Sequence, residues 1–569
     1  MRSIYKLFAV PFAVFTITAS AQPDTSTLET DTLGADYVPN FSVTFDELEG
    51  ESATQDISGL LQSSRDVFTS MAGFNFSGVR YRIRGYQSEV YSINMNGVPM
   101  NDPESGWGIW AFWGGLNDIT RYPEQQTGIA PTNLTFGGIG GYSNLEIRPS
   151  KKRAGTRLTY SYSNRSYRHR VMATHSTGMM SNGWAFTVSI SGRYGEEGYV
   201  AATSYSAASY FIGAEKQLNE KQSLALVAFG AASVRGRAGI SIQEVYDLTG
   251  DNYYNPFWGY QTQGDKQVKR NSRIRDTHKP YVFLIHTFDI DEKTKLNTTA
   301  FASFGRNGQT NLNWYDAADP RPTYWRYLPS AYNRTDPARA AELTEAWQSG
   351  DPTVTQLDWD SFYFANSKNL YTVNDADGIA GNAVTGNRAK YIVEEYRNDP
   401  LQIGLHSDYS KAISDHLNVS GGLNAIYHRT RNYRQVVDLM GADFWVDVDQ
   451  FAEQDFEDPN ASQNDLNNTN RLIGVGDAFG YNYDMVVMKG EAYGQAFFSY
   501  PKWDAYAGLN LSQTSFYRKG NYQNGRFPDN SFGKGETHNF FNYGVKGGFV
   551  YKISGRQYAT INGAYMTRA

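Results

Sequence analysis

The sequence predicts an α+β plug domain inside an antiparallel transmembrane β-barrel, and three observations favour this fold class. The chain has 569 residues, too many for one compact core unless a large barrel takes up much of the length. Aromatic residues make up 15% of it, with 41 Tyr and 54 Gly, whereas hydrophobic residues make up only 40%. Apolar and polar residues also alternate along many segments, which is typical of barrel strands.

Composition excludes several classes of function. The chain contains no cysteine, so disulfides, thiolate nucleophiles and cysteine metal sites are excluded. Its formal net charge of -6 gives no reason to expect nucleic-acid binding. The histidines are scattered, without a His-Glu-X-X-His motif or a Gly-X-Ser-X-Gly elbow. We therefore expect no enzyme, no cofactor and no metal, although Asn374–Gly378 resembles part of a calcium loop that lacks the glutamate at its twelfth position.

The N-terminal residues predict export followed by a tether. Residues 1–21 combine two basic residues, an apolar stretch from Leu7 to Ile17 and small residues at 19–21, as in a secretory signal peptide. A membrane anchor is the alternative, but the apolar stretch is too short to span a bilayer. Residues 22–51 are polar and acidic, which predicts a flexible periplasmic tether.

The tether contains one β-prone segment that is able to add as a strand to the edge of a partner's sheet. It is a candidate partner-binding segment, and an ordinary linker is the alternative of equal weight. Its residues are Phe41, Ser42, Val43, Thr44 and Phe45.

Residues 52–152 predict the plug, beginning with a short helix over residues 54–64. In the following strand, Val79–Tyr86, apolar residues alternate with Arg80, Arg82 and Arg84, so one face is buried and the other presents three guanidinium groups. We expect these arginines to contact acidic or amide groups of the inner barrel wall. Asn96-Gly97 then lies between two extended runs and predicts a hairpin.

The segment after the hairpin, 101–115, combines polar groups with tryptophans. Packing is the default role of its aromatic side chains. Its composition also suits a ligand that has both an apolar face and hydrogen-bonding groups. The ligand-binding candidates here are Asn101, Asp102, Glu104, Trp107 and Trp110.

The plug ends with a glycine-rich run, Phe136–Gly141, that leads into a strand over 144–148. A phosphate-binding loop is the alternative, but no Lys-Ser/Thr follows and the glycines open a strand rather than a helix. We expect the glycines to permit a close approach of two backbones.

The order of these elements, with Arg-Ile-Arg-Gly, Asn-Gly-Val-Pro-Met-Asn-Asp and Gly-Gly-Ile-Gly-Gly at their centres, resembles the plug of a TonB-dependent outer-membrane receptor. The runs Asp102–Trp107 and Asn255–Gln261 resemble those of Bacteroidetes-type receptors. In contrast, 119–128 matches the family pattern only loosely, and a carboxypeptidase-regulatory-like domain has no room before Ser52.

The resemblance implies active import of a scarce ligand across the bacterial outer membrane, driven by a TonB-type protein of the inner membrane. It makes Phe41–Phe45 the candidate TonB box, and it implies contact with outer-membrane lipid. Siderophore, cobalamin, peptide and oligosaccharide ligands all remain open. A passive or adhesive barrel and an outer-membrane barrel hydrolase are the alternatives: the first needs no folded plug, and the second needs a catalytic cluster that the sequence does not reveal.

Residues 155–569 predict the barrel. Trp184, Phe186, Val188 and Ile190 alternate with small polar residues, as expected for a wall between lipid and a plug. About thirteen strands are predicted, whereas a complete plugged transporter needs about 22. From this strand number we expect the sequence to be cut short at its C-terminus.

Two extracellular loops are expected, at about 307–398 and 432–484, the second of them acidic. The first contains a predicted helix from Pro337 to Ser349, capped by Asp336 and ended by Gly350. Its aromatic residues make it a candidate capture surface for the ligand. The candidate residues are Trp314, Trp325 and Trp359.

Overall fold

A computed structural model describes residues 88–120, 124–129, 131–164, 166–554 and 557–568. The signal peptide, the tether with Phe41–Phe45, the helix over 54–64 and the strand with Arg80, Arg82 and Arg84 lie outside the described residues. Among the described residues, no helix is long and apolar enough to cross a bilayer.

The described part of the plug is a small mixed sheet. Its strands lie in the order β2-β1-β4-β3, with β1 and β4 parallel and the other pairs antiparallel. The strands are β1 (Tyr91–Met95), β2 (Val98–Pro99), β3 (Glu124–Thr127) and β4 (Gly141–Leu145), with helix α1 (Asn117–Thr120) between β2 and β3. Three short 3-10 helices, Ser88–Val90, Trp110–Phe112 and Pro149–Lys151, complete it.

The Asn-Gly hairpin is confirmed. Met95 pairs with Val98, and Asn96 and Gly97 occupy the turn with φ of 46° and 79°, values that suit a turn with both central residues left-handed. A Cβ at position 97 would also lie 2.1 Å from Nε2 of His406 on the wall. Close backbone approach at the glycine-rich run is confirmed too, since a Cβ on Gly138 would lie 2.3 Å from the carbonyl oxygen of Val90.

The remaining strands follow the plug in chain order. They are β5 (Gly155–Tyr162), β6 (His169–Ser176), β7 (Trp184–Gly195), β8 (Tyr205–Asn219), β9 (Gln222–Gly236), β10 (Trp258–Gln263), β11 (Lys266–Asn271), β12 (Ile274–His278), β13 (Tyr281–Asp291), β14 (Thr294–Phe304), β15 (Arg306–Trp314), β16 (Leu370–Val373), β17 (Val384–Asn387), β18 (Tyr391–Ser414), β19 (Leu417–Asp438), β20 (Trp445–Val446), β21 (Leu472–Ile473), β22 (Ala478–Ser499), β23 (Trp503–Gly520), β24 (Gly533–Lys534), β25 (His538–Ser554) and β26 (Gln557–Met566).

Sixteen of these strands form one antiparallel sheet, the barrel wall. Its main path is β26-β25-β23-β22-β19-β18-β14-β13-β9-β8-β7-β6-β5, thirteen strands in all, which confirms the strand number expected for this chain. Strand β12 continues the position of β13 along β9, and β15 continues that of β14 along β18. Short hairpins outside the wall are β10-β11, β16-β17 and β20-β21.

The two faces of the wall differ as the alternation predicts. On β7, Trp184, Phe186, Val188 and Ile190 are exposed, whereas the alternate residues from Ala185 to Ser191 are buried. The buried face packs on the plug. Phe229, Tyr281 and Phe283 of the wall share one apolar cluster with Ile93 of the small sheet and Trp113 of the plug segment 101–115. The plug therefore lies against the inner face of the wall.

The two long loops are shorter than predicted. Strand β15 ends at Trp314 and β18 begins at Tyr391, so the first loop spans 315–390. Strand β19 ends at Asp438 and β22 begins at Ala478, so the second loop spans 439–477. The polar strand ends resemble loops in sequence, but the backbone ladder continues through them. The loops and connections hold α2 (Gln243–Thr249), α3 (Pro337–Ser349), α4 (Pro352–Thr355), α5 (Trp359–Ser367) and α6 (Gln450–Asp455).

Helix α3 has the predicted bounds. The Asp336 carboxylate accepts from the backbone N–H of Arg339 at 3.0 Å, and Gly350 ends the helix with φ of 71°. Leu343 and Trp347 form its buried face.

Candidate functional site

The outer segment of the plug, 101–115, begins with two residues that are used by the fold itself. The Asn101 side chain accepts from the backbone N–H of Ile93 at 2.9 Å and donates to the carbonyl of Tyr91 at 3.0 Å. The Asp102 carboxylate accepts from the backbone N–H groups of Glu104 and Ser105 at 3.2 and 2.9 Å. Both side chains therefore hold the loop in shape.

Among the candidates of this segment whose side chains the structure describes, Glu104 and Trp107 have substantial exposed surface. Glu104 lies 3.2 Å from Nε2 of His428 on β19, which is itself 2.8 Å from the Thr430 hydroxyl. Trp107 is 47% exposed. Trp110 lies in the 3-10 helix Trp110–Phe112. The segment thus presents a carboxylate to His428 on the inner face of β19 and an exposed indole.

The three tryptophan candidates of the first loop have different environments. Trp359, at the start of α5, is fully buried and donates from Nε1 to the carbonyl of Arg270 at 3.2 Å. Its assignment to a capture surface is wrong, because its ring packs between Phe362 and the Arg270 guanidinium. Trp314 is half-buried, with the Arg321 guanidinium 5.4 Å from its ring. Trp325 is 58% exposed, with the Arg326 guanidinium 5.1 Å from its ring.

The loops also form a cleft of about 460 Å³ beside the strand ends. Tyr199 and Tyr253 stand at 88° to each other with ring centroids 5.5 Å apart, and both are exposed. Asn255 also lines the cleft and donates to the carbonyl of Ala201 at 2.9 Å. Its side chain thus joins the connection before β10 to the connection between β7 and β8.

The plug meets the wall through two unlike contact regions. The first, which we call the aromatic side, comprises Phe211, Phe229, Tyr281, Phe283 and Phe301 of strands β8, β9, β13 and β14. Successive rings along it stack with centroids 5.1 to 6.3 Å apart. The Trp113 indole of the plug packs edge-on against Tyr281 at 6.1 Å.

The second region, which we call the polar side, consists of wall side chains that donate to carbonyl oxygens of plug residues 129–136. Gln495 donates to Thr132 at 2.7 Å and to Thr135 at 3.0 Å. Three more wall side chains donate to plug carbonyls: Ser420 to that of Thr132 (3.5 Å), Tyr506 to that of Ile129 (3.0 Å) and Lys546 to that of Phe136 (2.6 Å).

The inner wall beyond the plug, toward the long loops, contains arginines that the sequence did not single out. Arg235 of β9 lies directly opposite Arg275 of β12, and Arg273 precedes that strand on the same face. A signal was present, because Arg273 and Arg275 alternate at the start of a strand. The sequence could not show that β9 and β12 are neighbours.

The aspartates of Asn374–Gly378 are engaged within the loops. Asp375 accepts from the backbone N–H of Gly381 at 2.6 Å, and Asp377 accepts from that of Leu472 at 2.9 Å. In the part of the chain that the structure describes, no group of three or more His, Asp or Glu side chains is placed to hold a metal ion.

Comparison with known proteins identifies the fold through solved structures rather than through sequence. No protein-family model and no curated protein sequence matches the chain. The open form of the ferric-catecholate import receptor Fiu from E. coli K12 superposes with a TM-score of 0.50 at 12% identity, over 85% of this chain and 63% of that one. The ferric citrate transporter FecA gives 0.46 at 10% identity, over 86% and 55%.

A third solved structure, the siderophore receptor PiuA from Acinetobacter baumannii, gives 0.43 at 13% identity, over 84% of this chain and 57% of that one. The chain thus spans less than two thirds of the length of each of these receptors. The superposition on Fiu confirms the predicted fold class, a plug against the inner face of an antiparallel barrel wall.

Proposed function

We propose that this protein is a TonB-dependent receptor of the bacterial outer membrane that imports a scarce ligand. The observation that supports the proposal is the seated plug. Wall strands from β7 to β25 contact it, from Arg193, which donates to the Gly114 carbonyl at 3.0 Å, to Lys546. A wall occluded in this way favours energised transport over a passive pore.

The outward face of the wall supports the location. Ile190, Leu226 and Leu423 are 57%, 54% and 61% exposed, and each alternates with buried inward residues. An apolar outward band over a polar or plug-filled interior is the pattern of barrels that sit in lipid. The Bacteroidetes-type assignment rests on the two sequence runs Asp102–Trp107 and Asn255–Gln261.

The fold also weighs against the hydrolase alternative. Fiu, which shares the fold, is an import receptor. We therefore assign the protein no enzymatic activity.

Coupling to the inner membrane is assigned to Phe41–Phe45, which we propose as the TonB box. The test is Val43→Pro in the full-length receptor, expressed in its own cells from the chromosomal locus. Proline removes a backbone donor, so it should prevent pairing with the partner's sheet edge. We expect uptake to be lost while the receptor still reaches the outer membrane, as checked by membrane fractionation.

The matched control is Val43→Thr, which keeps the backbone N–H and the β-branched shape. Uptake is followed by growth of the strains on a panel of iron sources, cobalamin, peptides and oligosaccharides, which also identifies the ligand. Equal growth of the Val43→Pro strain and the wild type on every ligand that requires the receptor would refute the proposed box.

Ligand capture is assigned to Glu104 and Trp107 of the plug and to Trp325 of the loop. Substitution of Trp325 by Ala should weaken ligand binding without unfolding the receptor, because this indole is exposed. Substitution of Trp359 by Ala is the contrasting variant, since it should disorder the loop around α5. Unaltered binding by Trp325→Ala, together with weakened binding by Glu104→Gln, would leave the plug segment alone as the capture surface.

A further inference from the structure

We propose that the inner wall above the plug contains a binding site for the oxyanion groups of the imported ligand, formed by Arg235, Arg273 and Arg275. These three residues are called the arginine patch. The proposal rests on the proposed function, because it names the chemical class of the ligand that enters the barrel above the plug.

The first step is the face on which the patch lies. Along β9, alternation places Arg235 on the same face as Phe229 and Ser233, and Phe229 packs against the plug. Ser233 shares a 2.9 Å hydrogen bond with Thr277 across the ladder, which places Arg275, two residues before Thr277, on the same inner face. The patch thus faces the interior of the barrel.

The second step is the level of the patch along the strands. Strands β13 and β12 occupy one position of the wall, one above the other. From Phe283 back to Arg273, the inward residues are first aromatic, then Lys279 and Thr277, and then the two arginines. Lys279 is buried beside the plug, close enough for the charges of Asp102 and Glu104 to act on it. Arg275 and Arg273 lie further toward the long loops, beyond this contact.

The third step is that the patch lacks counter-charge. Among the described residues, neither Arg235 nor Arg275 nor Arg273 forms an ion pair, and the buried Nε of Arg235 has no hydrogen-bond partner. Arg275 donates to the Asn307 amide oxygen at 2.7 Å, and Arg273 donates to that of Asn311 at 3.2 Å. Each of these two guanidinium groups uses one N–H donor in this way, and its other N–H donors are available to a ligand.

The fourth step is electrostatic. Arg235 and Arg275 are directly opposite each other, and the positive charges of Arg235 and Arg237 both act on the Arg275 guanidinium. Like charges directly opposite on neighbouring strands destabilise a sheet. Such a cost in a native fold points to function, because proteins break local rules mainly at functional sites.

The arginines are also held in place. The Phe257 ring lies 4.0 Å from the Arg273 guanidinium carbon, and the Asn271 side chain donates to the carbonyls of Ala202 and Arg237 at 2.9 Å each. Glu394, the carboxylate that pairs across the ladder with Asn311, is engaged by Arg434 at 3.6 Å and Asn313 at 2.9 Å. It therefore does not neutralise the patch.

A planar, bidentate donor matches carboxylate and phosphate geometry, and a cleft lined by one sign of charge concentrates ligands of the other sign. The ligand class is thus a small molecule with at least two oxyanion groups. Carboxylates and phosphates share this chemistry, and two probes separate them.

The test measures binding to the purified full-length receptor in detergent by isothermal titration calorimetry. The probes are citrate, inorganic pyrophosphate and the uncharged triethyl citrate. We expect saturable binding of citrate, of pyrophosphate or of both, weakened at least about tenfold in the double variant Arg235→Gln/Arg275→Gln. Triethyl citrate should not bind. Which anion binds identifies the carboxylate or the phosphate class.

The matched control is Arg431→Gln, which removes the same charge from an exposed arginine on the outer face of β19. It should bind within about twofold of the wild type. A second readout is the melting temperature without ligand: a structural role would lower it in the double variant, whereas removal of like-charge repulsion should leave it unchanged or raise it.

Two results would overturn the proposal: no saturable binding of either anion to the wild-type receptor, or equal affinity of the wild type and the double variant. Binding in detergent needs no inner-membrane partner. Loss of energised uptake in the Val43→Pro strain is therefore scored separately, and either result can fail without the other.

Discussion

The aromatic side and the polar side hold the same plug by different physics. On the aromatic side, stacked rings from β8, β9, β13 and β14 enclose Trp113 and gain stability by removing apolar surface from water. On the polar side, side chains such as Gln495 and Tyr506 donate to carbonyls of the loop before β4. Water can replace a donor to a carbonyl, but it cannot replace a packed ring.

This difference indicates how the plug could move. Hydrogen bonds exchange with water at a small net cost per bond, whereas separating the aromatic side exposes a large apolar area at once. We expect the polar side to separate from the plug before the aromatic side does. Four variants test this difference between the two sides.

The largest effect is expected on the aromatic side. Phe283 is fully buried among Phe229, Tyr281 and Phe301. Substitution by Ala should lower the free energy of unfolding by about 3–5 kcal/mol, through lost burial and the cavity left behind. The check is denaturant unfolding of the receptor in detergent, followed by tryptophan fluorescence.

Ile190→Ala is the control for Phe283→Ala, because Ile190 is 57% exposed on the outer face. It should cost well under half as much as the Phe283 substitution. Equal losses in the two variants would mean that the plug contact contributes no more than the outer surface does.

A smaller loss of stability, with a clearer change in permeability, is expected for Gln495→Ala. The substitution removes the donor to the carbonyls of Thr132 and Thr135, which should cost about 1–3 kcal/mol. Cells with this variant should become sensitive to an antibiotic too large for their other pores. Phe283→Leu, which retains an apolar side chain, should not produce this sensitivity, and an equal leak in both strains would contradict the division into two sides.

A still smaller effect is expected for Tyr506→Phe, which keeps the ring and removes the hydroxyl that donates to the Ile129 carbonyl at 3.0 Å. The expected cost is about 0.5–1.5 kcal/mol of unfolding free energy. Combining it with Gln495→Ala tests coupling, because donors to one loop should show a non-additive cost. Strict additivity in the double-mutant cycle would mean that the two bonds break independently.

The smallest effect concerns acid stability at Glu146, just after β4. Burial raises the pKa of its carboxyl, but the Arg148 charge and hydrogen bonds from Arg148 and Asn96 outweigh burial and lower that pKa to about 2. The folded-state pKa lies below the ordinary value of 4.5, so the stabilisation is present above about pH 4.5 and is lost as pH falls toward 2.

Because the Glu146 side chain is 36% exposed, solvent screens the ion pair with Arg148, and we expect less than about 1 kcal/mol. The free energy of unfolding should therefore fall slightly more steeply between pH 4.5 and 3 in the wild type than in Glu146→Gln. Parallel pH profiles for the two proteins would remove this pair from the account of how the plug is held. Arg148 also donates to Thr287 of β13 at 2.8 Å, so the pair joins the plug to the strand of the aromatic side.

Features that depend on local periodicity and local turn chemistry can be predicted from the residues alone. The alternation from Trp184 to Ile190 identified which face of a strand is apolar, Asn96-Gly97 identified a hairpin, and Asp336 with Gly350 identified both ends of a helix. Each of these signals acts over a few residues, because backbone conformation and the two faces of a strand are fixed within that distance.

Contacts between residues far apart in the chain required the three-dimensional fold. Gln495 reaches Thr132, Arg235 lies opposite Arg275, and Trp359 is buried under the Arg270 guanidinium rather than exposed to a ligand. These contacts depend on which strands are neighbours, in what register, and on which loop folds back onto the wall. Residue spacing along the chain does not encode that geometry, since strand pairing is set by the packing of the wall around its plug.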